Sequence, residues 1–323
     1  MSGVYLSSFL SLLHPWLSRS DITDLLINRP GEVWFEVRGG GMTREAAPAV
    51  TEQVLGRLAR QIAGATNQGV SREQPLVSAS LPDGSRVQVI APPATREGLV
   101  LAIRKHAISD LALGDLAAAG AFARRKAGSV EADRVLVAML RKNDVEAFLR
   151  EAVRLRKTIV LSGGTSSGKT TLLNALVKEM PSTERLIAIE DAPEIQLHHE
   201  NSVGLVSVRG EMGEARVDAE ALLQASLRMR PDRILLGELR GGEAFTFLRA
   251  VNTGHPGSIT TVHAATPSGA IDQIAMMAQL GGLTVEWDVV QTYARQVIDI
   301  IVQMQRLDGR RSVGGILFAG QEY

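Results

Sequence analysis

The sequence predicts an α/β protein of two units: a smaller α+β domain over residues 1–105 and a larger domain over 141–323 with a parallel-rich sheet covered by helices, joined by a linker at 106–140. Three observations carry this. The 323 residues, at roughly 150 per domain, suffice for two cores. Short strand-like runs outnumber helices as far as Arg104, whereas from Asp144 strands and helices alternate in the βαβ rhythm of a sheet buried on both faces. The composition is ordinary for a globular chain, at 45% hydrophobic and 22% charged, with 35 Lys+Arg against 35 Asp+Glu.

Composition also excludes functions. Cysteine is absent, so disulfides, zinc–thiolate sites and thiol catalysis fall away. A net charge of zero and only 7 Phe, 3 Trp and 3 Tyr leave no bulk field for polyanions and little material for base-stacking platforms, which lowers the expectation of nucleic-acid binding but keeps it open. No uncharged apolar run approaches the roughly 18 residues of a spanning helix, so any membrane contact is expected to be peripheral. The apolar patches of 1–17 lack the basic start and small-residue cleavage site of a signal peptide, and are expected to stay in the mature chain.

Taken in order, Leu25–Asn28 and Glu32–Val37 flank the breaker Arg29-Pro30-Gly31 and form a hairpin. Val50, Val54, Leu58 and Ile62 recur every four residues and predict a helix. Pro82-Asp83-Gly84 separates strands at 76–81 and 85–91, and Leu99–Arg104 supplies another. Residues 106–140, Ala-rich and charged without a strong core pattern, read as a linker with helical pieces. Val145, Phe148, Leu149, Ala152 and Val153 then share one face of a helix. Strands are expected at 158–161, 185–190, 233–237 and 258–262, with helices at 169–180, 217–229, 242–252, about 267–280 and 285–295. A final strand pair, 297–305 and 312–319, flanks Leu307-Asp308-Gly309-Arg310, where Asp-Gly suits the positive φ of a tight turn.

The strongest chemical signal is Gly163-Gly164-Thr165-Ser166-Ser167-Gly168-Lys169-Thr170, which fits G-x-x-x-x-G-K-[ST] between an apolar strand and an amphipathic helix. Glycines let backbone N–H groups curl around phosphate oxygens, the helix dipole points at them, Lys169 neutralises charge and Thr170 offers a hydroxyl to Mg²⁺. The implied ligands are a nucleoside triphosphate and Mg²⁺.

Hydrolysis further needs a carboxylate to orient water. Two apolar strands end in acids, Ile234-Leu235-Leu236-Gly237-Glu238 and Leu186-Ile187-Ala188-Ile189-Glu190-Asp191, and parallel strand ends line a ligand crevice. Glu238 is assigned the water-orienting role, and Glu190 or Asp191 would hold Mg²⁺ or its waters. His263, where the next strand ends, suits a γ-phosphate sensor. Arg228, Arg230, Arg233 and Arg240 surround the Glu238 strand, while Arg86 and Arg104 lie in the first domain; one or two of these would act as arginine fingers, and spacing does not say which.

The loop with Thr171, the box Ile189-Glu190-Asp191-Ala192-Pro193-Glu194, the run from Leu227 to Ala244, and Thr253-Gly254-His255 followed by Thr261-Val262-His263-Ala264 together resemble the type II/type IV secretion ATPases. The N-terminal pieces Asn28-Arg29-Pro30-Gly31-Glu32-Val33-Trp34, Leu81-Pro82-Asp83-Gly84-Ser85-Arg86 and Ile103-Arg104-Lys105 resemble the traffic ATPases of type IV secretion and conjugation. That resemblance implies a RecA-like C-terminal domain and a homohexameric ring on the cytoplasmic face of the inner membrane, working with inner-membrane secretion-channel proteins. It further implies that nucleotide lies between the domains, with Arg86 and Arg104 reaching its phosphates from the first domain. One departure stands out: the family usually has glycine where this chain has Ser166. Three other readings stay open, a pilus extension or retraction ATPase, a RecA-like nucleic-acid motor, and a module that binds ATP and hardly turns it over.

Overall fold

Apolar side chains that alternate between two covered faces organise both sheets of the computed structural model, which describes residues 6, 10–106, 112–118, 120, 122, 129–208, 213–282 and 284–323. The first sheet is antiparallel, with strands β1 (Ile22–Ile27), β2 (Gly31–Val37), β3 (Met42–Ala47), β4 (Leu76–Ser80), β5 (Arg86–Ile90) and β6 (Val100–Arg104) in the order β3-β2-β1-β6-β5-β4. Helix α1 (Glu52–Ala65), capped where the Thr51 hydroxyl accepts from the Val54 N–H, presses Leu55, Leu58 and Ile62 onto one face, against Leu25, Ile27, Val33, Phe35, Leu101 and Ile103. The intervening residues Leu26, Trp34, Ile90, Val100 and Ala102 point the other way, into a core shared with the second sheet. Each such buried side chain contributes about 1.5–3 kcal/mol, so the interface between the sheets is continuous core rather than a wet seam.

The second sheet runs β14-β13-β12-β7-β11-β10-β8-β9. Strands β7 (Ile159–Gly163), β8 (Leu186–Glu190), β9 (Ser202–Val206), β10 (Arg233–Leu236), β11 (Ile259–Val262) and β12 (Ile300–Leu307) are parallel, while β13 (Arg310–Phe318) and β14 (Gln321–Glu322) extend it antiparallel. Helices α2 (Ser129–Arg141), α3 (Val145–Arg154), α4 (Lys169–Lys178), α5 (Ala219–Ser226), α6 (Glu243–Asn252), α7 (Pro267–Leu280) and α8 (Trp287–Val297) accompany it. The expected tight hairpin forms, with Asp308 and Gly309 at φ 50° and 79° between Leu307 and its register partner Arg310.

Three strands escape the sequence pattern, the two-residue β14 among them. Met42–Ala47 exposes Thr43, Arg44, Glu45 and Ala46 and is a strand because it pairs with β2; Ser202–Val206 adds to β8 at the sheet edge. The stretch 106–140 also corrects an expectation: Leu136 and Leu140, in a segment without an evident core pattern, are buried with Phe148 and Leu149.

The two sheets are joined by main chain and by charge. The turn between β5 and β6 lies along the β9 edge, where the Arg96 N–H donates to Gly204 O (3.0 Å) and the Val206 N–H to Ala94 O (3.0 Å). Arg185 is fully buried and donates to Asn28 Oδ1 (2.7 Å), Asn201 Oδ1 and Met229 O (2.9 Å). Arg230 pairs with Glu36 and Asp232.

His255 lies beside Pro231 O, 3.0 Å from its Nδ1, and burial pushes its imidazole below the usual range. A depressed folded pKa favours the neutral ring, so this residue contributes stability above the ordinary histidine pKa that is lost as pH falls below it. Urea unfolding from about pH 7.5 to about pH 5.5 is expected to show a steeper loss of stability for the unaltered chain than for His255→Gln.

Candidate active site

The loop between β7 and α4 is shaped by three residues at positive φ: Gly163 (150°), Ser166 (60°) and Gly168 (99°). A Cβ on Gly163 would lie 2.4 Å from Met304 O, because β12 runs directly alongside. Ser166 holds a left-handed conformation that costs an L-residue roughly 1–2 kcal/mol, at the position where glycine is the expected residue. The Lys169 side chain folds back over the loop, its Nζ donating to Gly163 O (2.7 Å) and Gly164 O (3.1 Å). Burial pushes this ammonium below its usual range, and Glu238 opposes the shift.

Beside the loop opens a cleft of about 290 Å³, lined among others by Thr165, Ser166, Lys169, Thr170, Glu190, Asp191, Glu238, Arg240 and His263. The candidates from the loop, from both acidic strand ends and from the β11 end therefore meet in one place. Gly163, Gly164, Ser167 and Gly168 contribute the loop backbone, with the Ser167 hydroxyl buried and without a hydrogen-bond partner, and Thr171 follows in the first turn of α4.

A chain of polar contacts crosses the cleft. Lys169 Nζ stands 3.5 Å from His263 Nδ1, and His263 Nε2 is 2.7 Å from Glu238 Oε1. Glu238 also pairs with Arg240, whose Nη1 donates to Asp191 Oδ2 (2.9 Å), and the Ser207 hydroxyl donates to Asp191 Oδ1 (2.7 Å). The hydrogen bond to Glu238 holds the Arg240 guanidinium more firmly protonated. Arg240 is in turn set by Glu243, whose Oε1 accepts its backbone N–H (2.7 Å).

Three candidates are placed differently from the rest. Glu190 lines the cleft, but it is only 5% exposed and its oxygens are engaged elsewhere: Oε1 accepts the N–H groups of Glu194 (2.9 Å) and Ile195 (2.7 Å), and Oε2 pairs with Arg96. It braces a loop rather than facing water. Arg86 and Arg104 do not reach the cleft of their own chain; they are register partners on β5 and β6 and line a separate hollow with Arg228, where Arg104 pairs with Asp24. Sequence reasoning gave no role to Arg96, Ser207 or Glu243; Glu243 lies within the Leu227–Ala244 run, whereas Arg96 and Ser207 lie in no motif and act only through the fold.

The donor set fits the implied ligands. Open loop N–H groups, the helix start and the inward-folded Lys169 suit triphosphate oxygens, and the hydroxyl of Thr170 with the carboxylates of Asp191 and Glu238 gives the hard oxygen environment that Mg²⁺ prefers.

Comparison with known proteins places this geometry in context. The family model described as "Type II/IV secretion system protein" matches residues 11–307. The chain is 38% identical over 320 residues to the type IV secretion system protein VirB11 of Bartonella henselae, covering 94% of this chain and 90% of that one. It is 41% identical over 311 residues to the type IV secretion system protein PtlH of Bordetella pertussis, covering 93% and 90%. Among solved structures, the VirB11 ATPase from the Brucella suis type IV secretion system, in complex with sulphate, is similar with a TM-score of 0.91 at 34% identity, over 98% of this chain and 95% of that one.

Loop strain yields opposite expectations for two neighbours. Gly163→Ala is expected to cost about 2 kcal/mol or more through contact with Met304 O, whereas Ser166→Gly is expected to gain up to about 1 kcal/mol, both read by chemical denaturation.

Proposed function

The chain belongs to the type II/IV secretion system protein family, and from that premise we propose that it works as a ring-forming motor of a type IV secretion system, in which ATP hydrolysis in the loop cleft drives assembly or substrate transfer. The observation that carries the reading is the meeting of Lys169, Thr170, Glu238, Arg240 and His263 in one cleft at the start of α4.

The phosphates bind across the N-terminus of α4, where Lys169 exchanges its two carbonyl partners for phosphate oxygens. Thr170 and Asp191, the latter paired with Arg240, would hold Mg²⁺, which would supply neutralising charge for the terminal phosphates. Glu238 orients water and accepts its proton, kept in place by Arg240 and His263. His263, reaching both Lys169 and Glu238, registers whether the terminal phosphate is present.

Charge balance argues for help from outside the chain. Glu190 takes up Arg96, and Asp191 and Glu238 share Arg240, which leaves Lys169 to face the phosphates, so an incoming triphosphate calls for added positive charge. Arg86 and Arg104 are suited to supply it to a neighbouring subunit. The two face each other across β5 and β6 with one carboxylate, Asp24, on Arg104, so the pair keeps net positive charge that a further anion would relieve. A homohexamer gives every cleft such a neighbour. The ring would sit on the cytoplasmic face of the inner membrane against the channel proteins of the system; among the described residues no helix is long and apolar enough to cross a membrane.

Steady-state phosphate release tests the chemistry: Lys169→Ala and Glu238→Gln should each lose about 100-fold or more, and equal rates in all three proteins would refute hydrolysis at this cleft. Mixing tests the shared site. Lys169→Ala and Arg86→Ala/Arg104→Ala subunits, each inactive alone, should together regain about a quarter of full activity, the share of random interfaces with both halves intact.

A further inference from the structure

Arg96 sits on the first domain's turn between β5 and β6, with its side chain lying against the second sheet. Its guanidinium is 18% exposed; Nη1 donates to Ile195 O (2.9 Å) and Nη2 pairs with Glu190 Oε2. Since Glu190 Oε1 accepts the N–H groups of Glu194 and Ile195, one arginine and one carboxylate close the 190–195 loop from both sides. That loop carries Asp191, which holds Arg240, which holds Glu238. Space for Arg96 comes from Gly204 on β9, where a Cβ would lie 2.3 Å from Arg96 Cδ and 2.5 Å from Nε.

We propose that Arg96 is a positioning residue through which docking of the first domain sets the acidic wall of the nucleotide cleft. With the 94–96 turn bonded to β9, Arg96 neutralises buried Glu190 and fixes the 190–195 loop, keeping Asp191 at the distance that orders Arg240 and Glu238. Without the arginine, Glu190 would be left buried without a countercharge, and the loop would have to rearrange. The first domain thereby positions the water-orienting carboxylate, while Lys169 and the loop backbone bind phosphate independently. This rests on the ATPase reading above.

The two functions separate in kinetics. Arg96→Ala is expected to lower kcat about tenfold or more with KM for ATP changed less than about threefold, and Arg96→Lys to recover part of kcat, since an ammonium reaches Glu190 but lacks the fork that also grips Ile195 O. Gly204→Ala should reproduce the kcat loss by pushing the guanidinium aside, and in the Arg96→Ala background it should add nothing. An unchanged kcat in Arg96→Ala, or losses that add in the double variant, overturns the proposal; should Arg96→Ala not fold, Arg96→Lys and Gly204→Ala carry the same test. The unaltered chain and Lys169→Ala are assayed alongside. Hydrolysis that depends on Lys169 but not on Arg96 overturns this proposal alone, whereas no hydrolysis in the unaltered chain overturns the ATPase reading and this one with it.

Discussion

Parallel pairing of β7, β11, β10 and β8 sets the depth of four strand ends, so that the phosphate loop, His263, Glu238 and the 190–195 loop leave the sheet along one edge. The pairings Ser162↔Val262, Thr260↔Leu236 and Leu236↔Ile189 place these exits within a residue or two of each other. Because alternate residues on these strands feed different cores, a slip of one residue would turn each strand's apolar set over and carry its terminal polar residue out of line. The chemistry of the cleft is thus specified by packing several layers below it.

What the sequence made legible follows from locality. The phosphate loop, the acidic strand ends and the Asp308-Gly309 hairpin each depend on neighbours a few residues away, and each appears where its pattern places it. Strand β3 was illegible because its polar side chains are half-solvated and only the partner strand β2 makes it a strand. Arg96 was illegible for a sharper reason: its partners Glu190, Ile195 and Gly204 lie about a hundred residues away, and nothing local distinguishes it from a solvated surface arginine. The same gap explains Glu190. Its place at the end of an apolar strand resembles that of Glu238, yet two backbone N–H groups and a distant cation give it a different occupation.

Electrostatics divides the labour between the sheets. The second contributes the phosphate cradle and the water-orienting carboxylate, the first a bracing cation and, on another face, the Arg86–Arg104 pair. Buried Arg185, shared between Asn28 of the first sheet and Asn201 and Met229 of the second, ties the two at the opposite end of β8 from the cleft. The Arg96–Glu190 pair and the bonds from 94–96 to β9 tie them at the cleft end, so the two sheets are held at both ends of β8.

The short seam between residues 94–96 and β9 is made of amide-to-carbonyl bonds, Arg96 to Gly204 and Val206 to Ala94. The bonds run through main-chain atoms, so the side chains of the two donors, Arg96 and Val206, take no part in them, and only proline at a donor would remove one. A side chain carried on such a seam can therefore be exchanged, as from arginine to lysine, without disturbing the main-chain bonds that hold its Cα beside β9.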